Sequence, residues 1–198
     1  MIVVVAALKG GVGKTTTAVY LAVAAAGGRR PVTLVDADPQ ASSAEWFEQG
    51  ADDRLASVEL VEAPTERLLT KAFERSAADD VVVVDTPPGH ERMLARAFEW
   101  ANAVVVPTRV GGVETSRAEA VLEMVPRATP SGLVISSART YTRDYNEAVA
   151  AWEQAGVRIW GAIPERVSIA TGPTTHLSWD GVEAYRDVWR RVQRASRS

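Results

Sequence analysis

Cysteine is absent from the 198 residues of the chain. Disulfide bonds, thiolate zinc sites and iron–sulfur clusters all need cysteine side chains, so the sequence excludes these classes of site. Long apolar runs are absent too, and none approaches the ~20 residues that a membrane-spanning helix requires. Because Met1 leads directly into a predicted strand, we expect no signal peptide and a cytoplasmic location.

Basic residues do not outnumber acidic ones. The chain has 22 lysines and arginines against 25 aspartates and glutamates, which gives a formal net charge of −3. Such a chain has no overall attraction for nucleic acid, so any affinity for DNA must come from a local basic cluster. The length and a hydrophobic content of 46% are ordinary for one globular α/β domain, which we expect to span residues 1–198.

Lysine is scarce, and its positions are informative. Only three of the 22 basic residues are lysines, and Lys9 and Lys14 both lie in the segment 8–16, LKGGVGKTT. This segment follows an apolar run, 2–7, and precedes a predicted helix, 15–26. A strand, a glycine-rich loop and a helix in this order are typical of a phosphate-binding loop. A glycine-rich turn with incidental charge is the plainer alternative.

Each residue type in this loop has a chemical reason. Glycines let backbone N–H groups close around an anion, because no Cβ atom blocks the approach and positive φ angles are accessible. Lys14 supplies positive charge for β- and γ-phosphates, and the hydroxyl of Thr15 is placed to ligate Mg²⁺. The candidate nucleotide-binding residues of the loop are Lys9, Gly10, Gly11, Val12, Gly13, Lys14, Thr15 and Thr16.

Acidic residues follow two of the predicted strands. Asp36 and Asp38 come after one strand, and Asp85 follows four consecutive valines, 81–84. Acidic side chains at the carboxyl ends of parallel strands lie where open α/β sheets bind ligands. Asp85 fits the Walker B role of holding Mg²⁺. A structural interpretation is also open, because an aspartate before Pro39 commonly begins a turn and an aspartate at a strand end commonly caps one.

Three segments together resemble one protein family. The loop 8–16, the sequence DADPQ at 36–40 and the sequence DTPPG at 85–89 are similar to those of the ParA/MinD ATPases, whose phosphate loop is deviant. In this loop Leu8 stands where the usual pattern has its first glycine, and Lys9 stands beside it. The rest of the chain resembles the family without specific motifs. The length matches the small ParA type, which lacks an N-terminal helix-turn-helix domain.

The resemblance implies roles for individual residues. It implies that Lys9 reaches across a dimer interface to the partner's nucleotide, and that Asp38 positions the attacking water. It also implies that Asp36 lies near Thr15 and the metal ion, and that the turn at 164–167 contacts adenine. The candidate catalytic residues are Lys9, Lys14 and Asp38, the candidate metal ligands are Thr15, Asp36 and Asp85, and Pro164 and Glu165 complete the candidate nucleotide site.

Strands and helices alternate along the chain. This pattern predicts a doubly wound, mostly parallel α/β sheet with helices on both faces, which is the fold of P-loop NTPases. The predicted strands are 2–7, 31–35, 57–61 (at an edge), 81–84, 103–108, 132–136 and 157–163. The predicted helices are 15–26, 64–77, 91–101, 114–125, 144–155 and 180–195.

The last predicted helix, 180–195, has an apolar stripe and a basic side. The arginines opposite the stripe are Arg186, Arg190 and Arg194, and they are candidates for sequence-independent contacts with DNA phosphates. A solvated basic face is the plainer interpretation. A membrane-surface helix like that of MinD relatives fits less well, since the core of the domain needs the apolar stripe.

The family resemblance implies an ATPase with ATP and Mg²⁺ as cofactors. Such a protein dimerises around two ATP molecules and binds nucleoid DNA non-specifically. It hydrolyses ATP slowly until a ParB-like centromere-binding protein or a cargo adaptor stimulates it. We expect segregation of plasmid or chromosomal DNA. Three further functions stay open: a MinD-like positioning ATPase on the membrane surface, a ParA-like positioner of a protein cargo, and a non-hydrolysing, nucleotide-gated scaffold.

Overall fold

Parallel strands form the centre of the molecule. The computed structural model describes residues 1–50, 52–170, 172 and 176–197, and within them the sheet has seven strands. The strands are β1 Ile2–Val5, β2 Val32–Asp36, β3 Glu59–Glu62, β4 Val81–Asp85, β5 Ala103–Thr108, β6 Ser131–Ala138 and β7 Ile159–Pro164. The helices are α1 Lys14–Ala26, α2 Ser42–Gln49, α3 Glu66–Arg75, α4 Glu91–Phe98, α5 Gly112–Met124, α6 Arg143–Gln154, α7 Val167–Ala170 and α8 Trp179–Ala195, with a 3-10 turn at Asp53–Ser57.

The order of the strands confirms the doubly wound topology. The sheet runs β3-β2-β4-β1-β5-β6-β7, and every neighbouring pair within the described residues is parallel. β4, which contains the four valines, lies between β1 and β2 and is fully buried. A continuous apolar run is what a central parallel strand covered on both faces requires. β3 lies at one edge of the sheet, where the sequence predicts its short strand.

Alternate residues of β1 face two separate hydrophobic layers. Val3 and Val5 pack into the layer of α1 and α8, whereas Ile2 and Val4 pack into the layer of α3 to α6. α1 packs against the sheet and against α8, which itself packs on β7, so ten of the 13 residues of α1 are buried and it has no broad polar face. The predicted apolar stripe of the last helix is buried at Val182, Tyr185, Val188, Trp189 and Val192.

Two helices, α2 and α7, lie where the sequence predicts none. The residue at the N-cap of α2, Ala41, makes no side-chain capping bond. Asp36 caps this helix instead, by accepting hydrogen bonds from the N–H groups of Ser43 and Ala44. A local capping pattern does not reveal such a start. None of the described helices is both long enough and apolar enough to cross a membrane.

The chain changes direction across the sheet at β1. α1 carries the chain from β1 past β4 to β2, and α4 carries it from β4 back past β1 to β5. Ligands of open α/β sheets bind at such a switch point, outside the carboxyl ends of the strands. The segments that follow β1, β2 and β4 meet there, so the fold brings all three sequence motifs to one edge of the sheet.

Candidate nucleotide-binding site

The loop between β1 and α1 is shaped for an anion. Gly11 and Gly13 have φ angles of 76° and 89°, a left-handed conformation that favours glycine. Gly13 is also the N-cap of α1, so the free N–H groups of the first helical turn point towards the loop. Backbone N–H groups and the positive end of the helix dipole together make an anion-binding site.

Two buried hydroxyl groups hold this loop and its strand in position. The Oγ atom of Ser136 in β6 lies 2.8 Å from the carbonyl oxygen of Val12 and 3.0 Å from that of Thr108. The Oγ1 atom of Thr86 donates a hydrogen bond to the carbonyl oxygen of Val5 at 2.8 Å. Neither hydroxyl belongs to the phosphate loop. The geometry of this loop therefore depends on β6, which contains Ser136, and on the segment after β4, which contains Thr86.

The side chain of Lys14 is nearly enclosed. Lys14 is only 8% exposed, and burial lowers the pKa of its ammonium group, whereas the carboxylates of Asp85 and Asp38 raise it. Together with Thr15 and Thr16 it lines a cavity of about 310 Å³. A cation in this position offers charge-assisted hydrogen bonds to phosphates bound in the loop.

Asp85 is fully buried and has an unused oxygen. Its Oδ2 atom accepts a hydrogen bond from the Oγ atom of Ser43 at 2.8 Å, whereas Oδ1 is buried and has no hydrogen-bond partner among the described residues. Burial raises the pKa of Asp85 to about 6, although the hydroxyl groups of Ser43 and Thr15 oppose this rise. A carboxylate oxygen without a donor, beside a threonine hydroxyl, fits a hard cation such as Mg²⁺.

A cation held here takes the rest of its ligands from elsewhere. The described part of the chain contains no group of three or more acidic or histidine side chains that could hold a metal ion. Mg²⁺ in nucleotide sites is commonly held by one or two protein ligands together with phosphate oxygens and water. The pair Thr15 and Asp85 is consistent with that mode of binding.

Asp36 lies beside Asp85 but uses both of its oxygens. The two residues are partners in the register between β2 and β4. Oδ1 of Asp36 accepts from the N–H group of Asp38 at 3.0 Å, and Oδ2 accepts from those of Ser43 at 2.8 Å and Ala44 at 3.1 Å. Burial raises the pKa of Asp36, and these three N–H groups lower it. Asp36 therefore holds the segment after β2 and the start of α2, and its role as a metal ligand stays a prediction.

Asp38 stands in a turn at the edge of the site. Its Oδ1 atom accepts a hydrogen bond from the N–H group of Gln40 at 3.0 Å, as the turn interpretation of the sequence requires. Its carboxylate is also close enough to Lys14 to raise the pKa of that ammonium group. The turn and a water-positioning role are compatible, because a carboxylate has a second oxygen that accepts hydrogen bonds.

A residue of the same chain binds Lys9. The Nζ atom of Lys9 forms an ion pair with Oε1 of Glu114, in the first turn of α5, and this contact lowers the pKa of Glu114. The side chain of Lys9 is 38% exposed. The two lysines of the loop thus differ, because Lys14 is enclosed and Lys9 lies at the accessible edge.

The cavity beside the loop has the size of a small-molecule site. Its volume of about 310 Å³ lies at the lower end of the range for ligand pockets. Pro164, which the resemblance places near adenine, lines this cavity. Glu165 lines a neighbouring cavity of about 270 Å³, where its Oε1 atom accepts a hydrogen bond from Nη2 of Arg139 at 3.0 Å. The structure therefore brings Pro164 to the cavity beside the phosphate loop, whereas Glu165 lines the neighbouring cavity.

Further residues that line the cavity lie outside the sequence motifs: Arg109, Ser136, Ile169 and Tyr185. Tyr185 is fully buried, and its hydroxyl lies 2.9 Å from Oγ1 of Thr17 in α1. The sequence predicts this tyrosine only as one member of an apolar stripe. Its hydroxyl group was the one signal of a polar contact, because a buried tyrosine hydroxyl usually has a hydrogen-bond partner.

Arg186 and Arg190, which the sequence predicts to contact DNA, are paired with carboxylates along α8. Arg186 forms an ion pair with Glu183, and Nη1 of Arg190 lies 2.6 Å from Oδ1 of Asp187. Arg194 is exposed on the same helix. The structure thus places the three arginines on one helix as predicted, but carboxylates weaken the positive charge of Arg186 and Arg190.

Comparison with known proteins identifies relatives. The family described as CbiA, the CobQ/CobB/MinD/ParA nucleotide binding domain, matches residues 3–179. The maintenance of carboxysome distribution protein A of Gloeobacter kilaueensis is 40% identical over 147 residues, which cover 72% of this chain but only 65% of that protein, less than two thirds of its length. The chromosome-partitioning ATPase Soj of Thermus thermophilus is 29% identical, and the match covers 94% of each chain.

A solved structure has the same fold. The septum site-determining protein MinD of Pyrococcus horikoshii OT3, complexed with Mg-ADP, has a TM-score of 0.78 at 19% identity, over 97% of this chain and 95% of that chain. At this identity the likeness concerns the fold alone, and it agrees with the parallel sheet that the sequence predicts. The match over residues 3–179 shows that the chain belongs to the CobQ/CobB/MinD/ParA nucleotide-binding domain family, which confirms the resemblance carried by its phosphate loop.

Proposed function

We propose that this chain is a positioning ATPase that dimerises around two ATP–Mg²⁺, binds DNA non-specifically and leaves it after partner-stimulated hydrolysis. The observation that carries the proposal is the convergence of Lys14, Thr15 and Asp85 on one glycine-rich loop, with Lys9 at its exposed edge. Phosphoryl transfer depends mainly on positioning and on charge stabilisation, and this set of groups supplies both.

ATP and Mg²⁺ are the cofactors that the site fits. The backbone of the loop and Lys14 bind the β- and γ-phosphates, and Thr15 and Asp85 hold Mg²⁺, which neutralises charge on the phosphates. Asp36 keeps the segment after β2 in position through the N–H groups that it binds. Asp38 orients the attacking water with its second carboxylate oxygen. The cavity beside the loop, which Pro164 lines, would hold the adenine base.

Lys9 completes the site of a second chain. Because its side chain is partly exposed, it can exchange Glu114 for the phosphates of a partner's nucleotide. Val113, next to Glu114, is 59% exposed, and it offers apolar surface for a dimer to cover. Hydrolysis by one chain alone is then slow, because the site is complete only when the dimer and a stimulating partner are in place.

The cargo that we propose is plasmid or chromosomal DNA, with a ParB-like centromere-binding protein as partner and the cytoplasmic nucleoid as location. This choice is supported by Soj, a relative named as a chromosome-partitioning ATPase that matches along 94% of both chains. A protein cargo with its own adaptor is the second candidate. It is favoured by the 40% identity to a protein named for carboxysome distribution.

A membrane-surface role and a non-hydrolysing scaffold both have less support. A membrane-surface role needs an apolar helix face that is free to insert, and the stripe of α8 is buried against α1 and β7. A non-hydrolysing scaffold has no need for a carboxylate that orients water. The carboxylate of Asp38 lies close enough to Lys14 to raise the pKa of its ammonium group, which supports a hydrolytic site.

ATP hydrolysis by the purified protein with Mg²⁺ tests the proposal. We expect slow turnover by the wild type, and a fall of about 100-fold or more in Lys14→Ala and Asp38→Ala. The matched control is Lys71→Ala, which removes the one lysine outside the loop and leaves turnover unchanged. Absence of wild-type hydrolysis with or without DNA contradicts the proposal, as does unchanged phosphate release in Asp38→Ala.

Co-sedimentation with ATP separates the DNA-bound form from the membrane-bound form. We expect the protein to pellet with duplex DNA and to stay in solution with anionic liposomes. Pelleting with liposomes and not with DNA reverses the order of these two candidates.

A further inference from the structure

Several arginines gather at the edge of the sheet opposite the phosphate loop. This edge holds the amino ends of the strands and the carboxyl end of α8. Arg30 precedes β2, Arg158 precedes β7, and Arg191 and Arg197 lie near the end of α8. Arg158, Arg191 and Arg197 are exposed, and Arg30 is half-buried. These four residues are termed the edge arginines.

Contacts place the edge arginines in one row. Nη1 of Arg191 donates a hydrogen bond to the carbonyl oxygen of Ile159 at 3.2 Å, next to Arg158. Arg197 and Arg30 line one cavity of about 310 Å³. Arg191 lies in the last two turns of α8, and Arg197 follows the end of this helix. The row therefore runs from the β7 side of the sheet across the end of α8 to β2.

The edge arginines are not paired with carboxylates of the described residues. Within that part of the chain none of them has a carboxylate within ion-pair distance. Arg30 donates to the carbonyl oxygens of Ala78 and Asp80, and such contacts fix a guanidinium group without cancelling its charge. Two acidic residues, Asp79 and Asp80, lie near the N-terminus together with Arg30, and the carboxylate of Asp80 accepts a hydrogen bond from the N–H group of Ala77 at 2.7 Å.

We infer that the edge arginines, rather than Arg186 and Arg190, bind the phosphates of DNA. Arg186 and Arg190 are each paired with a carboxylate three residues earlier, so a phosphate would have to displace that partner. A row of unpaired guanidinium groups binds a phosphate backbone directly and without reading the bases. The inference rests on the DNA binding proposed above, and it names the residues that carry it.

The position of the row has a consequence for the dimer. Nucleotide and Lys9 lie at the carboxyl ends of the strands, whereas the edge arginines lie at the amino ends. DNA bound to the edge arginines leaves the nucleotide face free for a second chain. A dimer joined at the nucleotide face then presents one row at each of its two outward edges, so two segments of DNA can be bound by one dimer.

Two matched double variants test this assignment. The edge variant is Arg191→Gln with Arg197→Gln, and the control is Arg186→Gln with Arg190→Gln, which removes the same charge from the same helix. Affinity for a short labelled duplex of mixed sequence is measured by fluorescence anisotropy with ATP and Mg²⁺, from about 50 to 200 mM salt. Binding of a fluorescent ATP analogue, which neither pair is expected to contact, checks that both variants are folded.

We expect the edge variant to bind the duplex about tenfold or more weakly, and to lower the slope of log K against log salt by about 1.8 per chain. The control is expected to stay within about twofold of the wild type. An equal or larger loss in the control, or an unchanged slope in the edge variant, overturns the inference while DNA binding itself stands. A wild type that does not bind the duplex, or that binds phosphatidylserine vesicles in its place, overturns the DNA-binding part of the proposed function as well.

Discussion

At the scale of residues, the site holds two neighbouring buried carboxylates with different surroundings. Asp36 accepts three backbone hydrogen bonds, whereas Asp85 accepts one bond from Ser43 and keeps one oxygen without a partner among the described residues. A buried polar atom without a partner destabilises the folded chain unless a ligand satisfies it. Asp36 therefore holds the segment after β2 and the start of α2, and we expect Asp85 to be the residue of this pair that binds a cation.

The pKa of Asp85 predicts how stability depends on pH. It is raised to about 6, so the nucleotide-free folded protein retains this proton where the unfolded chain, with an ordinary aspartate pKa near 3.9, has released it. The stabilising contribution of the protonated group is therefore complete below about pH 4 and is lost as the pH rises to about 6, by about 3 kcal/mol at most. Urea unfolding across this range measures the loss.

The substitution Asp85→Asn isolates that effect. The asparagine does not titrate, so we expect the variant to lose less stability than the wild type between about pH 4 and 6. Parallel stability curves for the two proteins would show that Asp85 keeps an ordinary pKa.

The ion pair between Lys9 and Glu114 predicts competition between a bond within the chain and a bond across the dimer. Glu114→Gln removes the charge that holds Lys9, so we expect ATP-dependent dimerisation at a concentration about two- to fivefold lower. Light scattering with ATP and Mg²⁺ measures this. The control is Glu119→Gln, an exposed position on the same helix. Weaker dimerisation in Glu114→Gln than in the control means that Glu114 assists the dimer instead of competing with it.

At the scale of elements, α1 and α8 form the layer behind the phosphate loop. A buried hydrogen bond between Thr17 and Tyr185, 2.9 Å long, joins them. Tyr185→Phe leaves the threonine hydroxyl without this partner, and we expect unfolding to become easier by about 1–2 kcal/mol. Urea unfolding provides the measurement. Tyr141→Phe, at a residue that is 84% exposed, serves as control and is expected to change stability by less than about 0.5 kcal/mol. Equal stability of the two variants would show that this bond does not stabilise the layer.

The sheet and the phosphate loop were predictable from the sequence, and the helical layers were less so. Four valines predict the centre of a parallel sheet, and the glycines with two lysines predict the loop, because both signals lie within a few consecutive residues. The start of α2 depends on Asp36, which precedes the helix. Gly181 in α8 is needed because a Cβ atom there would lie 2.6 Å from the ring of Tyr20. Contacts between distant segments leave no local sequence pattern. Arg109 and Ile169 also come to the cavity beside the phosphate loop from distant segments, so the sequence does not reveal their position there.

At the scale of the whole molecule, the two edges of the sheet carry different groups. The carboxyl ends of the strands hold the phosphate loop, the buried carboxylates and the exposed Lys9. The amino ends hold the edge arginines. In the proposed function, nucleotide controls dimerisation at the carboxyl ends of the strands, and the dimer gains or loses its hold on DNA at the amino ends. The proposed function therefore depends on a dimer that forms only with ATP.

Sedimentation velocity with and without nucleotide tests this dependence most directly. With Mg²⁺ and a non-hydrolysable ATP analogue, the wild type and the control Lys71→Ala should form dimers, whereas both should remain monomers with ADP. Lys9→Ala should remain a monomer with either nucleotide, because the lysine that completes the partner's site is missing. The proposed function is contradicted if the wild type stays monomeric with the ATP analogue, or if Lys9→Ala dimerises as readily as the wild type.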